Sequence, residues 1–408
     1  MKRRVAVTGM SVVSPLGSDL REFRERLLAG ESAAGPITVF DPAALPTRIA
    51  AEVKAGEAVI DDRKIGFGVA AARAAAEHAN GAGAPLVAHY PAGSGGLSLG
   101  IGLELFSMPD MVQFLQRQGA APAKHPLSFL QTPSDICLHL ISREHGLGRA
   151  PLLHVSACAA STDAIGLAFR MIQAGERDWM LVGGTDSMIN PMGVAGFCKL
   201  QAMTTRNDAP KRASRPFDRD RDGFLLGEGA GVLVLEPLDE ARSRGARIYA
   251  EIRGYGNSFD AHSISDPHPE AEGAVLAMRR ALHSAGMAPE EVGCVNAHGT
   301  STPKNDPVET LGIRRVFGAH ADRLKVTSTK SMVGHLISAS GAVEVIAQIV
   351  CAAEGWIHPT INLEHPDASC DLQYVRAAPC KSDRPVFLKN SFGFGGQNAS
   401  LVVQVNPG

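Results

Sequence analysis

The sequence predicts an α/β protein built from two related βα halves, with buried mixed sheets covered by helices. Two blocks are alike: in the first a strand enters Cys158 and a long helix, in the second a strand enters Lys330, His335 and a long helix. Each block is followed by a glycine and another short strand region, which is the mark of an internal duplication. The 408 residues give room for two domains or one duplicated domain.

Taken in order, residues 4–7 read as a first strand and residues 20–28 as a helix ended by Gly30. Residues 61–79 form an alanine-rich helix suited to close packing, with Arg63 and Lys64 at its exposed start. Residues 93–102 (GSGGLSLGIG) read as a glycine-rich loop, a wall of a cleft or a packed turn. They are not a dinucleotide fingerprint, because GxGxxG is incomplete and the strand, helix and later acid are not in place. The chain to about residue 130 reads as a surface excursion, and Ser134 caps a helix towards Ser142. Residues 152–155 are β-rich and lead to Cys158. In the next helix Ile165, Ala168, Phe169 and Ile172 fall at i, i+3, i+4 and i+7, and Gly175 marks its stop.

Residues 179–182 are a short buried strand. Residues 204–223 carry so many charges that they are expected to be mostly solvated. Their DRDRDG segment imitates a calcium loop with Asp218, Asp220, Asp222 and Gly223, but the closing acid would fall at position 229, which is glycine. Residues 229–235 and 247–256 are strand-like and residues 273–284 helical. Strands at 292–297 and 325–328 lead into His298 and Lys330, and a helix runs from Ser338 to near Gly355.

A net charge of −2 excludes a globally basic nucleic-acid binder. Seven scattered cysteines without a CxxC pair argue for a reducing compartment and against a disulfide framework or cysteine-rich zinc site. The opening MKRRVAVTGMSVV is interrupted by polar residues and reads as strand and turn, and no apolar run is long enough to span a bilayer. A cytoplasmic protein is expected.

Cys158 lies at a strand-to-helix turn, where unpaired N–H groups and the helix dipole favour a thiolate. A cysteine among alanines is most often a small buried hydrophobe, so its partners decide. The candidates are His298, Lys330, His335 and Glu344. Singly they are a turn or core histidine, or a structural ion pair. Jointly, each sits at a strand end or helix start, where α/β sheets place their sites.

Four motifs then carry a resemblance: VSACAAS around Cys158, NAHGTSTP around His298, STKSMVGH with the Glu344 helix, and NSFGFGGQNAS near the end. Together with VAVTGMSVVSPLG and SRPFDRDRDGFLLGEGAG, they resemble the elongating, Cys-His-His branch of the β-ketoacyl-[acyl-carrier-protein] synthases over essentially the whole chain. The resemblance implies a thiolase-like fold layered αβαβα, with an N-terminal half over residues 1–250 and a C-terminal half over 251–408. It implies a decarboxylating Claisen condensation of an acyl thioester, held on Cys158, with malonyl-[acyl-carrier-protein], without metal or cofactor. His298 and His335 would stabilise the enolate, Lys330 would pair with Glu344, and the backbone N–H groups of Cys158 and Phe394 would form the oxyanion site. Thr300 and Thr302 would line the pantetheine arm, and Phe394 would gate the acyl pocket. Arg63 and Lys64, joined by Lys124 and Lys199, would dock the acyl carrier protein.

The same resemblance implies a homodimer, or a heterodimer with a related subunit, and no nucleic-acid or membrane partner. Departures bear on substrate: SASG (residues 338–341) replaces the family's GAAG, Gln397 stands where threonine is usual, and residues 97–137 match least. Fatty-acid elongation is the first expectation. A ketosynthase of a dedicated polyene or polyketide pathway, working with a chain-length-factor-like partner, fits the same residues. A non-catalytic partner subunit is disfavoured by Cys158, and a thiolase or initiating synthase by the second histidine.

Overall fold

The computed structural model describes residues 2–54, 62–81, 83–102 and 133–406. Strands β1 (Val5–Val13), β2 (Gly95–Ile101), β3 (Leu152–His154), β4 (Trp179–Ser187) and β5 (Glu228–Pro237) come from the first half of the chain. The second half supplies β6 (Ala250–Phe259), β7 (Cys294–Asn296), β8 (Lys325–Thr327), β9 (Gln373–Tyr374), β10 (Val386–Gly393) and β11 (Gln397–Val405). They form one eleven-stranded sheet in the order β9-β8-β7-β10-β11-β6-β1-β5-β4-β2-β3.

The two halves repeat one arrangement. β3, β2 and β4 run parallel, with β5 antiparallel between β4 and β1. Likewise β8, β7 and β10 run parallel, with β11 antiparallel between β10 and β6. The halves join where Val5 to Val7 of β1 pair with Ala250 to Ile252 of β6.

Helices α1 (Leu20–Leu28), α2 (Arg63–Asn80), α3 (Pro133–Glu144), α4 (Ala160–Ala174), α5 (Pro191–Lys199), α6 (Glu272–Ala285), α7 (Asn305–Phe317) and α8 (Ser340–Ala352) complete the layers. α2 covers β1, β4 and β5 with α3 against it, and α6 covers β6 and β11 with α7 against it. α4 and α8 pack on each other in the middle, α4 against β2 and β4 and α8 against β5 and β10. This is the layered arrangement expected of the sequence. Residues Ser340 to Cys351 of α8 are all buried, which is why that helix is apolar nearly all round. α4 buries Ile165, Ala168, Phe169 and Ile172 and ends in a left-handed Gly175.

Several elements differ from the sequence expectations. The glycine-rich residues expected as a loop form β2 instead. Their small side chains serve close packing: a Cβ on Gly100 would lie 2.5 Å from the Ser161 amide at the start of α4. β1 and β4 also run on through their polar and glycine residues to Val13 and Ser187. The charged stretch is not mostly solvated, since Arg215, Asp218 and Arg221 are buried. Asp218 accepts from Arg215 Nε at 3.1 Å and from the amides of Asp220, Glu364 and His365 at 2.8–2.9 Å. Arg221 donates to Asp367 at 2.7 Å. Satisfied in this way, the charges tie the two halves together instead of facing water.

Candidate active site

The end of β3 turns through Ser156 and a 3-10 turn (Ala157–Ala159) into α4, with Ala157 in the left-handed region. That turn is braced from behind, because Asp163 of α4 accepts hydrogen bonds of 2.5 Å from both Ser156 Oγ and Tyr255 Oη. Cys158 is therefore held at the helix start and is 3 % exposed.

Three ring or thiol groups converge there. His335 Nε2 lies 3.1 Å from Cys158 Sγ, and the His298 and His335 rings meet edge-on with centroids 5.3 Å apart. The Ile337 amide donates to His335 Nδ1 at 3.1 Å, and Ser340 Oγ stands 2.9 Å from the same nitrogen. An Nδ1 that accepts leaves the ring proton on Nε2, facing the sulfur. His298 Nδ1 is buried and finds no partner among the described residues.

The three side chains lie close enough to surround an ion, with their potential ligand atoms within 4.8 Å of one another. The bonding does not fit one: His335 offers a protonated Nε2 to the cleft, and a metal needs its lone pair. The set is better suited to donating hydrogen bonds to an oxygen.

Burial sets the protonation of the group. It drives His298 and His335 well below the ordinary histidine range, and the Lys330 and Lys389 charges push the same way. Both rings are neutral. Burial also pushes the Cys158 thiol up to about 11, against the pull of Lys330 and of hydrogen bonds from the Phe394 and Cys158 amides. The thiolate favoured by the helix start in the sequence reading is thus opposed by desolvation in the closed cleft.

Those two amides are the pair anticipated for an oxyanion. The Phe394 amide reaches the sulfur because Gly393 has no side chain: a Cβ there would lie 2.8 Å from Ser156 O and 3.3 Å from the Cys158 nitrogen. The Phe394 ring stacks on Phe197 with centroids 6.4 Å apart, beside an apolar cluster that includes Met188, Ile189, Val194, Phe224 and Ile337. Cys158, His298, Thr300, Thr302, His335 and Phe394 line one cleft of about 210 Å³. The Thr300 and Thr302 hydroxyls are 2.9 Å apart.

Behind the histidines, Lys330 Nζ meets Glu344 at 2.6 Å, and Lys389 Nζ meets the other oxygen of Glu344 at 2.7 Å. Glu309 accepts from the amides of His298 and Gly299, each at 2.8 Å. Sequence reasoning missed Lys389, Glu309 and the contact of Ser340. The signal for Lys389 was a lone charge inside the strand VFLKNSFG. For Ser340 it was the second serine of SASG.

The basic patch differs most from expectation. Arg63 is half-buried and clamped to Glu228, and Lys64 is 2 % exposed with its ammonium 2.5 Å from Asp62. The start of α2 is thus not an exposed basic surface, because both cations turn inward to carboxylates. Lys199 is exposed at the end of α5. Lys124 lies outside the described residues. Lys304, at the cleft mouth, is bound to Asp266 at 2.7 Å.

The N-terminal domain of the beta-ketoacyl synthase family matches residues 2–67 and 67–241, and the C-terminal domain of that family matches residues 249–364. The chain belongs to the beta-ketoacyl synthase family. Like other members it is an acyltransferase of the condensing type with a thiolase-like fold. It is 41% identical to the 3-oxoacyl-[acyl-carrier-protein] synthase 2 of Coxiella burnetii, over 98% of each chain. Among solved structures it is similar to a beta-ketoacyl synthase from Burkholderia phymatum, with TM-score 0.90, 33% identity and 100% of each chain covered. It is also similar to the ishigamide ketosynthase/chain length factor, with TM-score 0.87, 32% identity and 100% of each chain covered. No helix among the described residues of this beta-ketoacyl synthase is long and apolar enough to cross a membrane.

Proposed function

We propose that the chain elongates an acyl group held on an acyl carrier protein, with the Cys158–His335 contact of 3.1 Å beside a second neutral histidine as the observation that carries the reading. In the first half-reaction the Cys158 sulfur attacks the acyl thioester carbonyl. The carbonyl oxyanion is stabilised by the Cys158 and Phe394 amides, and the carrier leaves as a thiol with the cysteine's proton. In the second, malonyl thioester on the carrier loses carbon dioxide, and the electron pair of the broken C–C bond becomes an enolate. Hydrogen bonds from the neutral rings of His298 and His335 stabilise that oxygen. The enolate carbon then attacks the acyl-cysteine carbonyl, the C–S bond breaks, and a proton from solvent restores the thiol. A Cys/His pair alone suits hydrolysis equally well; the second histidine selects condensation.

Thr300 and Thr302 place their hydroxyls along the cleft for a phosphopantetheine arm, and Phe394 gates the apolar cluster behind it. Lys330 and Glu344 fix the charge behind the histidines. The carrier protein docks at the cleft mouth with Lys199 among its contacts; Arg63 and Lys64 support the surface from within. The two halves divide near residue 250, where β6 begins. The subunits pair through β3, which ends the sheet, with exposed Leu153 and, just after the strand, exposed Val155 at the seam.

Fatty-acid elongation is the first assignment. A dedicated polyketide or polyene pathway with a related partner subunit is the second, favoured by the likeness to a ketosynthase/chain length factor assembly and by the SASG and Gln397 departures. Extension of a panel of saturated and polyunsaturated acyl carriers with malonyl carrier protein tests the choice. Extension of saturated chains by the protein alone supports the first, and extension of unsaturated chains only, or only with a second subunit, overturns it.

A further inference from the structure

β10 enters the central layer with Lys389 and Ser391 facing inward. Ser391 Oγ meets Thr162 Oγ1 of α4 at 2.8 Å, and Lys389 Nζ meets Glu344 of α8 at 2.7 Å. Lys389 is 0 % exposed and also donates to the Asn390 carbonyl. Glu344, itself 0 % exposed, therefore receives two ammonium groups, Lys330 on one oxygen and Lys389 on the other. One buried ion pair is neutral; these three side chains carry one positive charge more than they have negative charges, offset only from a distance by buried Glu309, which also acts on Lys389. Desolvation makes such a surplus costly, so it persists only where the surroundings hold it in place.

The charged and titratable neighbours are few and come from every side. Glu309 of α7 lies across β10 and is engaged by the His298, Gly299 and Asn390 donors. His358 is held by Thr327 and Thr329 and is neutral, since burial brings it down to about 4. Asp186 of β4 acts on Cys158 from the far side. His298, His335 and Cys158 complete the set.

We propose that Lys389 is a positioning residue for the condensation: by sharing Glu344 with Lys330 it sets a second positive charge behind His298 and His335 and so keeps both rings neutral hydrogen-bond donors. It touches neither substrate nor the reacting atoms. Its charge lowers the tendency of both histidines to take up a proton, in the same direction as burial. The Lys389 ammonium is brought down to about 8 by burial, with Glu344 opposing, so it is charged below that pH, where the histidines need it.

The inference rests on the condensing reading, and one experiment separates the two. Carbon dioxide release from malonyl carrier protein is followed against pH for the native chain and for Lys389→Met, beside the pH profile of Cys158 alkylation. The acid limb of decarboxylation should move up by about half a pH unit or more in the variant, as loss of a nearby buried charge requires. The alkylation profile should move less than the decarboxylation limb, because Lys330 is the charge that acts most on Cys158. An unmoved acid limb, or a shift of the alkylation profile as large as that of the limb, overturns the role given to Lys389. Failure of the condensing reading looks different: the native chain releases no carbon dioxide at any pH. Lys389→Arg, which keeps the charge, should keep the native limb. Lys389→Gln, which keeps polar contacts without charge, is read in place of Lys389→Met should that variant not fold.

Discussion

His335 carries its proton on Nε2 because the Ile337 amide occupies Nδ1, and Ser340 adds a second bond to the same nitrogen. Ser340→Ala should leave the tautomer unchanged and cost about one neutral hydrogen bond, roughly 1 kcal/mol, read as a several-fold fall in decarboxylation. Glu344→Gln is far more severe. It leaves Lys330 and Lys389 facing each other without an anion, and an unpaired buried charge costs about 3–5 kcal/mol. A thermal melt should drop by well over the shift seen for Ser340→Ala. The convergence of Cys158, His298 and His335 was legible in the sequence because four motifs occur in order. Lys389 was not, because its meaning depends on β10 lying beside α8, a pairing that no local pattern encodes. The inward turn of Arg63 was equally hidden, since Glu228 is distant in sequence and is brought to α2 by β5, whereas the Asp62 partner of Lys64 stood two residues away.

Close approach of β10 to the Cys158 turn depends on Gly393. In Gly393→Ala the new methyl meets Ser156 O and the Cys158 amide, so the Phe394 amide is pushed from the sulfur. Acyl transfer to Cys158 should fall by about 100-fold or more, the usual effect of losing one oxyanion donor, while the fold is retained. Single-turnover acylation measures this. Element by element, periodic helices were well predicted because their apolar faces are core faces. β2 was misread because its glycines answer to Trp179 and α4 across the sheet, and glycine composition alone cannot separate a turn from a close approach. Residues 204–223 were misread for the converse reason. Their charges are satisfied through contacts with residues 302–306 and 364–367, which sequence order keeps far away.

At the scale of the molecule, burial depresses His78, His145, His154, His298, His335 and His358 together. Below about pH 6.5 the unfolded chain binds protons that these folded rings refuse, so stability should fall steadily from there towards pH 4. Melts across that range should show it, and a flat profile would contradict the neutral assignment. In solution the subunits should pair through β3, and Val155→Lys should shift sedimentation towards the single chain. The duplication was visible in sequence as two similar blocks, whereas the joining of both halves into one sheet through β1 and β6 was not. The role of Cys158 as acyl carrier is tested most directly by intact-mass analysis after incubation with an acyl carrier thioester. An acyl adduct is expected on Cys158 that is lost in Cys158→Ala and is consumed, with release of carbon dioxide, when malonyl carrier protein is added. No adduct with any chain length, or an adduct that survives in Cys158→Ala, would contradict it.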